Sequence, residues 1–199
     1  MKSFVYRSIM AALLLSAALP LQAGEGKANI SLVSDYIFRG VSVSGGSTVL
    51  QGGYEYDYGN SIVVGVWSST LPDKSEYDIY AHYSDEFGNF GYSTGFIYYS
   101  YTGPADLPAE FNLALSYYGF SIMNSSGEAG SYNEVAYQTE VKKLGIRLHY
   151  GSDGSNPDRS IQLLKKTGGM EVALVFASKL DSITSISTEA FALTLSKDF

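Results

Sequence analysis

Ala28-Asn29-Ile30-Ser31-Leu32-Val33-Ser34-Asp35-Tyr36-Ile37-Phe38-Arg39 is the stretch whose reading decides the fold. Ile30, Leu32, Tyr36 and Phe38 fall on one parity, and Asn29, Ser31, Asp35 and Arg39 on the other. Strand side chains alternate between two faces, so this pattern predicts a strand between an apolar and a polar medium.

Working outward, the same opposition recurs to the final Phe199. Residues 48–58 set Leu50, Tyr54, Tyr56 and Tyr58 against Gln51, Gly53, Glu55 and Asp57, and residues 76–84 set Tyr77, Ile79, Ala81 and Tyr83 against Asp78, Tyr80 and His82. Residues 109–118 place Phe111, Leu113, Leu115 and Tyr117 opposite Glu110, Asn112, Ala114 and Ser116, with a short segment 120–124 behind them. Residues 132–141 oppose Val135, Tyr137 and Val141 to Glu134, Gln138 and Glu140, and 144–151 alternate Leu144, Ile146, Leu148 and Tyr150 with Arg147 and His149. Two more segments, 170–177 with Val172, Leu174 and Phe176, and 189–199 with Phe191, Leu193, Leu195 and Phe199, complete the clear cases. Residues 61–69, 90–101 and 160–166 also read as strands, but apolar residues on both parities leave their facing open.

The reading is therefore all-β: an up-and-down antiparallel barrel of about twelve strands. Gly59-Asn60, Gly88-Asn89, Gly119, Lys142-Lys143 and Gly168-Gly169 suit tight hairpins. They alternate with longer polar stretches at 40–47, 70–75, 102–108, 125–131, 152–159 and 179–188. Short turns on one side and long loops on the other are the layout of an outer-membrane barrel.

A soluble barrel would show the same alternation with its apolar side inward. Here the polar parity is thin in Lys and rich in Ser, Gly, Asn and Gln, as a wet interior would be. Tyr36, Phe38, Tyr56, Tyr58, Tyr150 and Phe199 near strand ends fit aromatic girdles at the membrane interfaces. The chain is 45% hydrophobic with 17 Tyr, yet its mean hydropathy is +0.00, the value expected when lipid-facing and water-facing residues interleave. Without Cys there is no disulfide or thiol chemistry.

Lys2 and Arg7, the apolar run from Ile9 to Leu19 and the small Ala23 read as a signal peptide over residues 1–23. That leaves 24–199 as a single barrel domain. Loss of Lys2 and Arg7 takes the net charge from −7 to −9, which speaks against a nucleic-acid partner.

Ser34-Asp35-Tyr36-Ile37-Phe38-Arg39-Gly40, Leu50-Gln51-Gly52-Gly53, Gly65-Val66-Trp67-Ser68, Asp78-Ile79-Tyr80 and Tyr98-Tyr99-Ser100-Tyr101 resemble the TorF family of porins, over nearly the whole chain beyond the leader. The chain departs from that pattern at His82, where a smaller residue is expected, and in Thr102-Gly103-Pro104 after Tyr101. The resemblance implies an outer-membrane barrel. Its closing Phe191, Leu193, Leu195 and Phe199 resemble the terminal signal read by the barrel-assembly machinery.

Asp35, Arg39, Glu55, Asp57, Asp78, His82, Glu110, Glu134, Glu140 and Arg147 share the polar parity and are expected to line the lumen, either as a selectivity filter or as a fixed salt-bridge network. Acids outnumber bases, which favours cations and neutral polar solutes. A barrel of about twelve strands lies between the filled and the open sizes, so a conduit and a plugged barrel serving adhesion, surface binding or envelope structure both stand. A lipid-modifying enzyme is a third reading. It would need His82 or His149 at the lipid surface, and both sit on the polar parity. Asp153, Asn156 and Asp158 form an oxygen-rich loop that matches no EF-hand spacing and reads as solvated. No metal or cofactor is expected; the expected partners are membrane lipids, the assembly machinery and small hydrophilic solutes. The oligomeric state stays open.

Overall fold

The computed structural model describes residues 24–103, 108–128 and 130–199, so the signal peptide expected over residues 1–23 lies outside the described residues. The strands in chain order are β1 (Glu25–Val33), β2 (Ile37–Phe38), β3 (Val41–Ser42), β4 (Val49–Asp57), β5 (Ile62–Thr70), β6 (Ser75–Phe87), β7 (Phe90–Tyr101), β8 (Ala109–Tyr117), β9 (Phe120–Gly127), β10 (Gly130–Val141), β11 (Leu144–Ser152), β12 (Pro157–Thr167), β13 (Met170–Asp181) and β14 (Ile186–Asp198). Among the described residues there is no helix. Apart from β2 and β3, every strand pairs antiparallel with its chain neighbour, and β14 returns to β1 to close a twelve-stranded barrel. Closure satisfies every edge within the sheet, the condition a strand needs in hydrocarbon.

The seam is the shortest ladder of the barrel. β1 and β14 share five residue pairs, Asn29↔Asp198 to Val33↔Thr194, against eleven between β13 and β14. Two backbone bonds extend it, Ala28 N–H to Phe199 O at 3.2 Å and Phe199 N–H to Ala28 O at 2.8 Å.

Cross-strand partners project to the same face, so a few exposures fix the orientation of the whole sheet. Phe111 is 53% exposed while its neighbour Glu110 is 7% exposed. Ile30, Leu32, Leu50, Leu113, Phe176 and Phe191 are exposed in the same way, and Glu76, Asp78, Glu110 and Asp158 are buried. The oily side chains point out and the carboxylates point in, the reverse of a soluble barrel. The segments left open are now assigned. Ser69, Trp67, Gly65 and Val63 of β5 face inward, as partners of Gln51, Gly53, Glu55 and Asp57. In β7, Tyr99 and Ile97 face inward opposite Asp78 and Tyr80, leaving Phe96 and Tyr98 outside. In β12, Ser160 and Gln162 face inward opposite His149 and Arg147.

Two expectations are corrected. The first strand does not run to Arg39: it ends at Val33, and residues 34–48 fold into the barrel, so Tyr36 and Phe38 are interior rather than girdle residues. Asp35 makes the departure possible, because its carboxylate collects the Ser42 and Ser44 hydroxyls and the Gly46 N–H of the returning chain. The long loops are also mostly shorter than read. Strand pairing continues through the polar runs, leaving four residues between β5 and β6, between β11 and β12, and between β13 and β14. Ser and Asp side chains do not stop a ladder whose neighbour is already in place.

Candidate functional site

The in-folded segment is built as a miniature hairpin. Ile37 pairs with Ser42 and Phe38 with Val41, and the two-residue turn between them, Arg39-Gly40, takes φ of 47° and 76°. Positive φ at both positions is the type I′ geometry, which Gly accepts freely and which here also carries an Arg. At its root, Asp35 Oδ1 accepts from Ser42 Oγ at 2.6 Å, Ser44 Oγ at 2.9 Å and Gly46 N–H at 3.1 Å. Val43 N–H donates to Tyr36 O at 2.6 Å. The apolar side of the root is seated on Val33, Val49, Leu71 and Ala192, with Ile37 and Val175 packed against them.

The tip reaches across the barrel. Arg39 donates from both terminal nitrogens to the Glu110 carboxylate on β8, at 2.8 and 2.7 Å, and its guanidinium lies 4.2 Å from the ring centre of Tyr132 on β10. Glu110 also accepts from Tyr99 Oη at 3.2 Å. A Cβ added to Gly40 would lie 2.6 Å from Asp158 Cβ and 3.0 Å from Ser178 O, so the turn rests directly on the β12–β13 wall. β8 and β10 flank the strand opposite β1, so the Arg39 side chain spans the lumen from a hairpin whose backbone lies along β13 and β14.

Below the tip lies a second charged group. Tyr132 Oη donates to Asp158 Oδ2 at 3.0 Å and stands 3.0 Å from His149 Nε2. His149 is 3.3 Å from Glu134 Oε2, and Arg147 pairs with the other oxygen of Glu134. Phe38, Arg39, Tyr99, Glu110, Tyr132 and Arg147 border a cavity of ≈ 330 Å³. A second cavity of ≈ 270 Å³, bordered by Tyr80, His82 and Ser93, shares Ile97, Asn112 and Met123 with the first.

Of the ten residues expected in the lumen, the hairpin region brings together Asp35, Arg39, Glu110, Glu134 and Arg147. Asp78 is buried on the inner face of β6, beside the hairpin's Tyr36. Glu55 accepts from Tyr80 Oη at 2.8 Å, and His82 stacks on Tyr80. Asp57 and Glu140 stand apart at the turn end of the barrel, where Asp57 caps Gly59 N–H at 2.7 Å. Sequence reading missed Glu76, Tyr99, Tyr101, Tyr132 and Asp158. Glu76 shares its parity with Asp78, which was a usable signal, whereas Asp158 was hidden in a run that reads as loop. The Asp153, Asn156, Asp158 group is not one site. Asp158 turns into the lumen, while Asp153 and Asn156 brace the outer loops through Lys179 Nζ at 3.0 Å and Ser182 N–H at 3.2 Å. Desolvation works against ionisation of Asp153, but the Asn156 N–H, the Lys179 ammonium and the Ser155 N–H outweigh it and hold the carboxyl down to about 2.

A model of the family described as bacterial protein of unknown function (Gcw_chp) matches residues 20–159. No curated protein matches the chain. Among solved structures, a membrane protein from work on the mechanism of in-meso crystallization is similar at a TM-score of 0.64 and 7% identity, covering 87% of this chain and 83% of the other. The NanC porin is similar at a TM-score of 0.61 and 7% identity, covering 87% of this chain and 99% of its own. At these identities the likeness is one of fold.

Proposed function

The chain belongs to the Gcw_chp family of bacterial proteins of unknown function, and we propose that within it this protein is an outer-membrane porin through which small hydrophilic solutes diffuse passively, with a preference for cations. The observation that carries this reading is the hairpin tip. A turn whose Arg39 is pinned across the lumen to Glu110, with cavities continuing past it, is built as a constriction. A barrel that only had to be filled could be filled with apolar side chains. Here Glu110, Glu134 and Asp158 face inward against Arg39 and Arg147, with His149 between Glu134 and Asp158, and this excess of acid supplies the selectivity. The ten expected lumen residues divide on this view: the cluster around Arg39 sets selectivity, and Glu55, His82, Asp57 and Glu140 hold the wall and its turns.

The resemblance to the TorF porins and the fold likeness to the NanC porin support the same reading. The outward apolar band supports residence in the outer membrane, reached by the leader over residues 1–23 and by assembly through the closing Phe191, Leu193, Leu195 and Phe199. A lipid-modifying enzyme is disfavoured because His82 and His149 both project inward, away from lipid. Purified protein in planar bilayers should give discrete conductance steps, with a reversal potential of cationic sign in a KCl gradient. Silence at every voltage and salt concentration would overturn the porin reading in favour of a sealed barrel with a role in adhesion, surface binding or envelope structure.

A further inference from the structure

Beside the hairpin, on the inner face of β6, Glu76 is 2% exposed and Asp78 is 5% exposed. Residues two apart on a strand project to one side, so the two carboxylates stand next to each other. Glu76 Oε1 accepts from Tyr101 Oη at 2.9 Å. Its other oxygen, Oε2, and Asp78 Oδ1 are buried without a hydrogen-bond partner. The nearest ammonium belongs to Lys74, which is committed to the ring of Tyr101 at 4.3 Å and makes no ion pair with either acid among the described residues. Tyr36 of the in-folded segment lies beside the pair, against Trp67 and within electrostatic reach of both acids. Buried carboxylate oxygens are not left empty, since the cost of an unmet charge away from water is several kcal/mol. Two adjacent ones present two negative charges and hard oxygen donors to whatever enters.

We propose that Glu76 and Asp78 form a binding site for one hard divalent cation of the calcium type, beside Tyr36. Two carboxylates neutralise a divalent ion, Glu76 Oε2 and Asp78 Oδ1 are its first two ligands, and water from the adjoining lumen completes the shell that such ions require. The site lies on β6 against Tyr36, beside the root of the hairpin whose tip is held by the Arg39–Glu110 pair. This assignment is independent of whether the barrel conducts.

The chain carries its own reporter. Trp67, its single tryptophan, is the register partner of Asp78 and meets the Tyr36 ring edge-on at 5.6 Å. Refolded, metal-stripped protein in detergent is titrated with terbium ion while Trp67 is excited, and calcium is then added as competitor. The expected result is sensitised terbium emission that saturates at one equivalent, is displaced by calcium, and is lost in W67F. E76Q and D78N should each weaken calcium competition by roughly tenfold or more, as removal of one charged ligand does, while D153N leaves it unchanged. Absence of saturable emission in the wild type overturns the proposal, as does emission that survives E76Q/D78N, which would show terbium on other acids. If the double variant does not refold, the wild type and the single variants decide: a melting temperature unmoved by millimolar calcium, together with unaltered competition in E76Q and D78N, refutes the site.

Discussion

Cutting the hairpin tip loose should move conductance and selectivity in separable ways. The Arg39 side chain is 21% exposed and that of Glu110 is 8% exposed, so their two-point ion pair is largely shielded from water. Removing one member of a buried pair costs about 3 to 5 kcal/mol, and the partial exposure of Arg39 places this case near the lower bound, about 3 kcal/mol. At 1.4 kcal/mol per factor of ten, release of the tip becomes about a hundredfold more favourable. R39A leaves Glu110 with only the Tyr99 hydroxyl at 3.2 Å and subtracts one positive charge from the lumen. E110Q leaves Arg39 on the face of Tyr132 and subtracts one negative charge. Both variants should therefore show larger, noisier single-channel steps in planar bilayers. Their reversal potentials in a KCl gradient should move apart, R39A towards stronger cation preference and E110Q towards anions. The double variant R39A/E110Q should keep the enlarged conductance with near wild-type selectivity. Unchanged steps in both single variants, or reversal potentials that shift the same way, would refute the constriction argument.

Other consequences follow from the same contacts. G40A places a Cβ against Asp158 and Ser178 at a residue of positive φ, so the tip should lift off the wall at a cost of at least ~1 kcal/mol, seen as faster proteolytic cleavage within residues 34–48. D35A removes the acceptor of three bonds at the hairpin root and should expose the same segment to protease without unfolding the barrel, as heat-modified gel mobility would report. The Asp153 carboxyl is held at about 2, below its ordinary 3.8, so its stabilising effect is complete above pH 4 and fades as pH falls towards 2. Because the group is exposed, D153N should lower stability at pH 7 by no more than about 1 kcal/mol, and the difference should shrink as pH falls towards 2, measured by denaturant unfolding. Deleting Phe199 removes the two backbone bonds that lengthen a five-pair seam, and should slow refolding into lipid vesicles more than deleting a residue from any hairpin turn.

The twelve barrel strands were legible because each one separates lipid from a polar interior, and that boundary writes itself into residue parity. Phe111 against Glu110 and Tyr150 against His149 needed no tertiary knowledge. β5 resisted because its inward side carries Val63 and Trp67, and Trp67 is there to meet Tyr36 from a loop distant in sequence. The end of the first strand was misplaced for a different reason. The hairpin at residues 37–42 has the same period of two as the strand that leads into it, so parity runs on unbroken while the chain turns inward. The one local sign was Asp35, whose carboxylate can gather a returning backbone, followed by Arg39-Gly40 at a turn position. Glu76 and Asp158 were lost at strand ends, where polar residues on both parities erase the alternation.

The inward acids explain why that hairpin has to be there. Glu110, Glu134 and Asp158 converge from β8, β10 and β12 on a space narrow enough for one side chain to bridge, and like charges in such a space repel strongly. Among the described residues of the wall, only Arg147 and His149 answer them directly. Arg39 supplies the missing positive charge from outside the wall, and its pairing with Glu110 is available only once β8 is in place beside β7 and β9. Insertion of residues 34–48 and closure of the barrel are then coupled events: each lowers the cost of the other. A constriction made this way is fixed by charge at its tip and by packing on Val33, Val49, Leu71 and Ala192 at its root, so its position should respond to ionic strength at one end and hardly at all at the other.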